Sequence, residues 1–192
     1  MKSLTIRSAV LVFIFAFTAS AGFAASEEKS EAAFKFAEVE YFHRWSKDDQ
    51  HEFTPRGQKD LKRWVDMVTI NYYRNVTDGE ALAATANAVL ENYKNNQAMV
   101  LRIDSVPRTP EKPAEYLIVV LFPRPDFIEA VFARFKMVDG IGTSTIYSHR
   151  KYGKKIGDQM SAWLQANGAS KEKALMSWKE IPSLDASKKW KN

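Results

Sequence analysis

Two of the three histidines, His43 and His51, stand within a ten-residue stretch that also holds Asp48, Asp49 and Glu52. Imidazole and carboxylate are ligands that zinc and other divalent ions accept. If this stretch is a hairpin, His43 and His51 approach one another across it, with Glu52 next in line. His43, His51 and Glu52 are therefore the candidate metal ligands. Their spacing matches no established ligand pattern, and a solvated turn with two ordinary half-exposed histidines is the alternative.

The densest basic segment is Ser148-His149-Arg150-Lys151-Tyr152-Gly153-Lys154-Lys155. It lies between the last expected strand and the last long expected helix. Backbone N–H groups at a helix start attract anions, and neighbouring cations reinforce them. Arg150, Lys151, Lys154 and Lys155 are the candidates for contact with an anion or an acidic partner surface. The alternative is a solvated basic loop that serves solubility alone.

Other chemistries find no footing. Ser148 beside His149 is not a hydrolase pair, because neighbouring strand residues point to opposite faces. No Gly-x-Ser-x-Gly elbow occurs, and no Gly-x-Gly-x-x-Gly or P-loop pattern. The chain has no cysteine, so thiol catalysis and redox exchange are ruled out. No catalytic residue and no cofactor is expected. The aromatic pairs Tyr41-Phe42 and Tyr72-Tyr73, with Trp45 and Trp64, form either an exposed binding strip or, more ordinarily, core. Asn75-Val76-Thr77 is a glycosylation sequon, relevant in a eukaryotic host only.

The elements that must position these residues read as follows. Segment 39–45, a turn at Lys47-Asp48-Asp49-Gln50 and segment 51–54 make a first hairpin. Segment 64–74 is a strand with Val68, Ile70 and Tyr72 on one face. Thr77 with Glu80 fits a capping box that opens a helix over 77–94, with Leu82, Ala86, Val89, Leu90 and Tyr93 at helical spacing. Segment 99–104 alternates, with Met99, Leu101 and Ile103 on one face, and pairs across a proline loop with the continuous apolar run 116–122. Segment 127–138 fits either a helix or a strand. The turn Asp139-Gly140-Ile141-Gly142 decides for a hairpin of 130–138 with 142–150. Ile156, Met160, Trp163 and Leu164 begin a helix that Gly168 caps, and a short helix follows over 170–178. The resulting fold class is α+β: an antiparallel, hairpin-rich sheet packed against two or three helices.

The first residues address the compartment. Lys2 and Arg7 precede the apolar run 9–17, and Gly22-Phe23-Ala24 fits a cleavage site. That layout is a secretory signal peptide over 1–24, because the run is too short to span a bilayer. A flexible lead-in over 25–37, one globular domain over 38–180 and a frayed basic tail over 181–192 complete the organisation. The protein is thus expected to be periplasmic or secreted, and not integral to the membrane once processed. Twelve Phe, seven Tyr and five Trp supply the buried area that absent disulfides would otherwise replace. The chain carries 28 Lys and Arg against 23 acidic residues, and cleavage removes Lys2 and Arg7. So slight an excess, in an exported protein, excludes nucleic acid as the partner.

A strand over 64–74, a capped helix over 77–94 and a meander ending in Tyr147-Ser148-His149-Arg150 before a terminal helix together resemble the PsbP/Mog1-like layout. The resemblance covers most of the mature chain as an order of elements. It implies an accessory or binding role and transfers no site residue. The expected function is a non-catalytic binding or accessory protein of the bacterial periplasm or envelope, recognising a protein partner or an anionic envelope component. A protective inhibitor of a secreted toxin is one form of it. The alternative is a small secreted hydrolase acting on envelope material, with His149, His43, His51 and Glu52 as its best residues.

Overall fold

The computed structural model describes residues 31–190. The expected signal peptide and residues 25–30 of the expected lead-in lie outside the described residues. The elements are β1 (Phe34–Phe36), β2 (Val39–Lys47), β3 (Gln50–Pro55), β4 (Asp66–Tyr73), α1 (Gly79–Asn95), β5 (Met99–Val106), β6 (Glu115–Pro123), β7 (Phe127–Val138), β8 (Ile141–Tyr152), α2 (Gly157–Ser177) and a 3-10 turn (Ala186–Trp190). All eight strands join one antiparallel sheet in the order β1-β2-β3-β4-β8-β7-β6-β5. The class is α+β, as the pattern of hairpins and amphipathic segments requires.

Alternation along the central strands divides the apolar residues between two faces. Leu117, Val119, Ala130, Phe132 and Tyr147 turn to the face that carries Met160 and Leu175 of α2. Ile118, Val120, Val131, Ala133 and Phe135 turn to the opposite face, against Leu82, Ala86, Val89 and Leu90 of α1. Leu82 is fully buried, and a leucine so placed stabilises the fold by about 1.5–3 kcal/mol. The segment 116–122 is apolar throughout because β6 must satisfy both layers at once.

Several expectations need correction. Asp78, not Thr77, caps α1: its Oδ1 accepts from the Ala81 backbone N–H at 2.8 Å. Gly168 does not end a helix. It lies inside a continuous α2, facing Leu164 and Phe132. Residues 34–36 of the expected lead-in form β1, and Phe36 is buried between Tyr41, Tyr147 and Trp178. The tail, expected to fray, is packed instead. The Tyr72 hydroxyl donates to the Pro182 carbonyl at 2.7 Å, and Trp190 sits edge-on to Phe53 at 4.7 Å. A single large ring provides the apolar area that the lysines around it lack.

The end of α2 is fixed from the sheet. Arg134 on β7 is buried, and its Nη1 donates to the Leu175 and Trp178 carbonyls at 2.7 and 2.9 Å. Its Nε and Nη2 donate to Glu115 Oε2 at 2.8 and 2.6 Å. The guanidinium thus satisfies carbonyls that a helix end leaves without partners, while a carboxylate balances its charge.

Candidate functional site

The register of β4 on β8 sets Asp66 opposite His149. On the α2 face of the sheet, His149 Nδ1 donates to Asp66 Oδ1 at 2.9 Å, and the Tyr147 hydroxyl donates to the same oxygen at 2.6 Å. A ring nitrogen facing a carboxylate carries the proton, which fixes the imidazole tautomer. Trp163 of α2 lies flat on the imidazole, 3.8 Å between centroids and 3° between planes. Lys171 stands over the Tyr147 ring at 5.2 Å. Burial pushes the Asp66 carboxyl up, but the hydrogen bonds from His149 and Tyr147, with the charge of Lys171 nearby, outweigh it and hold the group below the usual carboxylate range. Burial beside Asp66 raises the Tyr147 hydroxyl far above the ordinary phenol.

An Asp–His pair is two-thirds of a hydrolytic triad, and the imidazole of this one is closed off from solvent. His149 is only 4% exposed. Its Nε2, the atom a general base would use, is buried and has no hydrogen-bond partner among the described residues. Ser148 points to the other face of the sheet, as strand alternation requires. The cluster ties β4, β8 and α2 together.

His43 and His51 do approach one another across the β2–β3 hairpin, with ring centroids 6.3 Å apart. Ser46 bridges them: its hydroxyl lies 2.7 Å from His43 Nε2 and 2.6 Å from His51 Nδ1. Both rings pack against Trp190. Burial lowers the His43 pKa, assisted by the Arg44 charge and opposed by a backbone hydrogen bond at Trp45. Glu52 does not join them. It pairs with Thr69 on β4, one residue out of phase with His51, so it stands on the opposite face of the sheet. The expected three-ligand set is therefore split, and among the described residues no group of three or more His, Asp or Glu side chains is placed to hold a metal.

The basic segment is also divided. Arg150 is inside β8, where its Nε donates to Glu129 Oε2 at 2.8 Å. Its guanidinium lies over the Trp64 ring at 3.8 Å and the Phe127 ring at 4.3 Å. A cation held by a carboxylate and two aromatic faces is committed to the fold. Glu52 shares this neighbourhood, and burial raises its pKa; the nearby Glu129 adds to that rise, while Gln50 and Arg150 oppose it. Lys154 and Lys155 are exposed in the turn before α2, and Lys151 is half-buried.

The least satisfied element is β5. Among the described residues it closes one edge of the sheet and pairs only with β6. All eight of its residues are exposed, including Met99 and Ile103 at 57%, Val106 at 49% and Leu101 at 46%. The expected single apolar face of Met99, Leu101 and Ile103 is not kept. A register shift between Val100 and Arg102 turns part of the strand over. Sequence reasoning missed this surface because alternation predicts a strand and is silent on its place in the sheet. Among the described residues no helix is long and apolar enough to cross a membrane.

A protein-family model matches residues 29–179, and the chain belongs to that family. No curated protein matches it. Among solved structures, the chain is similar to the one titled "Crystal structure of human STARD10", at 10% identity over 73% of this chain and 74% of that chain, with a TM-score of 0.30.

Proposed function

We propose that this protein is an exported, non-catalytic binding or accessory protein of the bacterial periplasm or envelope, and that it takes a protein partner along the free edge of β5. The observation that carries the reading is the exposure of all eight β5 residues, five of them large and apolar, on a strand with one side unpaired among the described residues. An unpaired edge offers a ladder of N–H and C=O groups that only another peptide chain can match in register. That favours a protein partner over an anionic envelope component. The groups with catalytic potential support the same reading, since His149, Asp66, Arg150 and Glu129 are all engaged within the fold.

The test is affinity capture from envelope and culture fractions of the native host, with the wild-type chain and an Ile103→Lys variant as parallel baits. Lysine on an edge strand is a natural block to further pairing, and an exposed site tolerates it. A dominant partner held by the wild type and lost by the variant is expected. Equal capture by both baits would remove β5 from the account.

A further inference from the structure

We infer that the chain docked on β5 is a second copy of this protein, added antiparallel about a two-fold axis at Ile103; the inference rests on the edge-binding reading above. The argument is the self-complementarity of the strand. Arg102 and Asp104 flank Ile103, and both face the α2 side of the sheet, since they pair with Val119 and Leu117. In an antiparallel pair centred on Ile103, Arg102 of each copy falls opposite Asp104 of the other, on one face. The Ile103 side chains, each 57% exposed, meet at the centre. Residues directly opposite across an antiparallel pair interact most strongly, so the arrangement has two opposite-charge pairs flanking one apolar pair. Such a contact is isologous and closes as a dimer without propagating.

In the single chain Arg102 already reaches Asp104 and, at 3.3 Å, Glu172 of α2. Arg102 and Asp104 are about half exposed, and Glu172 less so. Exchange for the cross-copy pairs therefore costs little desolvation. The register shift at Leu101 interrupts the edge N-terminal to the pair and, because the pairing is centred on Ile103, leaves residues 102–104 of each copy as the regular overlap. That limits strength and leaves the charges to set the register.

The experiment is sedimentation equilibrium of the purified chain and of charge-reversed variants. The wild type is expected to dimerise with concentration. Arg102→Asp alone and Asp104→Arg alone each place like charges opposite one another twice, and each is expected to weaken the dimer about tenfold or more. An equimolar mixture of the two, and the double swap in one chain, restore the complementary pairs and the dimer. Circular dichroism melts unchanged from the wild type show that the variants remain folded. Dimerisation indifferent to both reversals, or weakened by both without rescue in the mixture, would overturn the proposed register. A chain that stays monomeric, yet captures another protein only while Ile103 is intact, would overturn the second-copy inference and leave the edge-binding reading standing. Capture and dimerisation both indifferent to Ile103→Lys would sink the two together.

Discussion

Replacing Asp66 by Asn tests whether the histidine cluster is structural. In the native protein one carboxylate oxygen accepts from both His149 (2.9 Å) and Tyr147 (2.6 Å). A net hydrogen bond to a charged acceptor contributes about 1.5–3 kcal/mol, and one to a neutral acceptor about 0.5–1.5 kcal/mol. The amide keeps an acceptor of the same shape, so each bond weakens by about 1 kcal/mol, and the pair by about 2 kcal/mol. For a chain of this size that lowers the Tm by roughly 4–8 °C. The pH dependence follows from the depressed native pKa of Asp66. A carboxylate whose pKa falls on folding contributes stability above its unfolded value, near 4, and loses it as pH drops through the lower native value. Urea titrations from pH 7 to pH 3 should therefore show the wild type ahead by about 2 kcal/mol near neutrality, with the gap closing below about pH 4. A gap below about 0.5 kcal/mol at pH 7, or one equally wide at pH 3, would refute the electrostatic reasoning.

The packed tail makes Trp190→Ala costly. Trp-to-Ala changes in cores cost about 3–5 kcal/mol, so thermal melts should shift down by roughly 6–20 °C; no shift would mean that the tail is frayed after all. The two glycines at close contacts respond in opposite directions in the same melts. A methyl on Gly142 would overlap Val76, with its Cβ at 2.7 Å, and costs about 2–3 kcal/mol. A methyl on Gly168 meets Leu164 and Phe132 at ordinary contact, 3.8 and 4.0 Å, and gains about 0.5–1 kcal/mol from helix propensity. Destabilisation by Gly168→Ala would mean that α2 lies closer to the sheet than described.

What could be read in the sequence depended on whether a local residue type enforced the local conformation. Asp139 and Gly140 take positive φ, 49° and 78°, in the two-residue β7–β8 turn, and an Asp-Gly pair announces that turn. Ala37 and Glu38 make the same kind of turn between β1 and β2, with φ of 47° and 65°. Nothing in Ala-Glu signals it, so β1 was hidden in an apparent lead-in. Thr77 and Asp78 are both good caps one residue apart, and only the hydrogen bond to Ala81 chooses between them. The candidate site was less legible. His149 and Asp66 are 83 residues apart, and only the β4–β8 register joins them. His43 and His51 do approach across the hairpin, but the phase of β3 sends Glu52 to the other face. β5 looked like any alternating strand, because position at a sheet edge is a property of topology rather than of the strand's own residues.

Amide hydrogen exchange across β5 tests the central claim most directly. In dilute free protein the outward amides of 99–106 should exchange quickly, because they have no partner strand among the described residues. In the complex recovered from the host envelope, or at concentrations where the chain self-associates, those amides should slow by about tenfold or more while Lys151, Lys154 and Lys155 stay unchanged. Protection that appears at 151–155, with β5 exchanging as it does in the free protein, would contradict the account and return the binding surface to the basic segment.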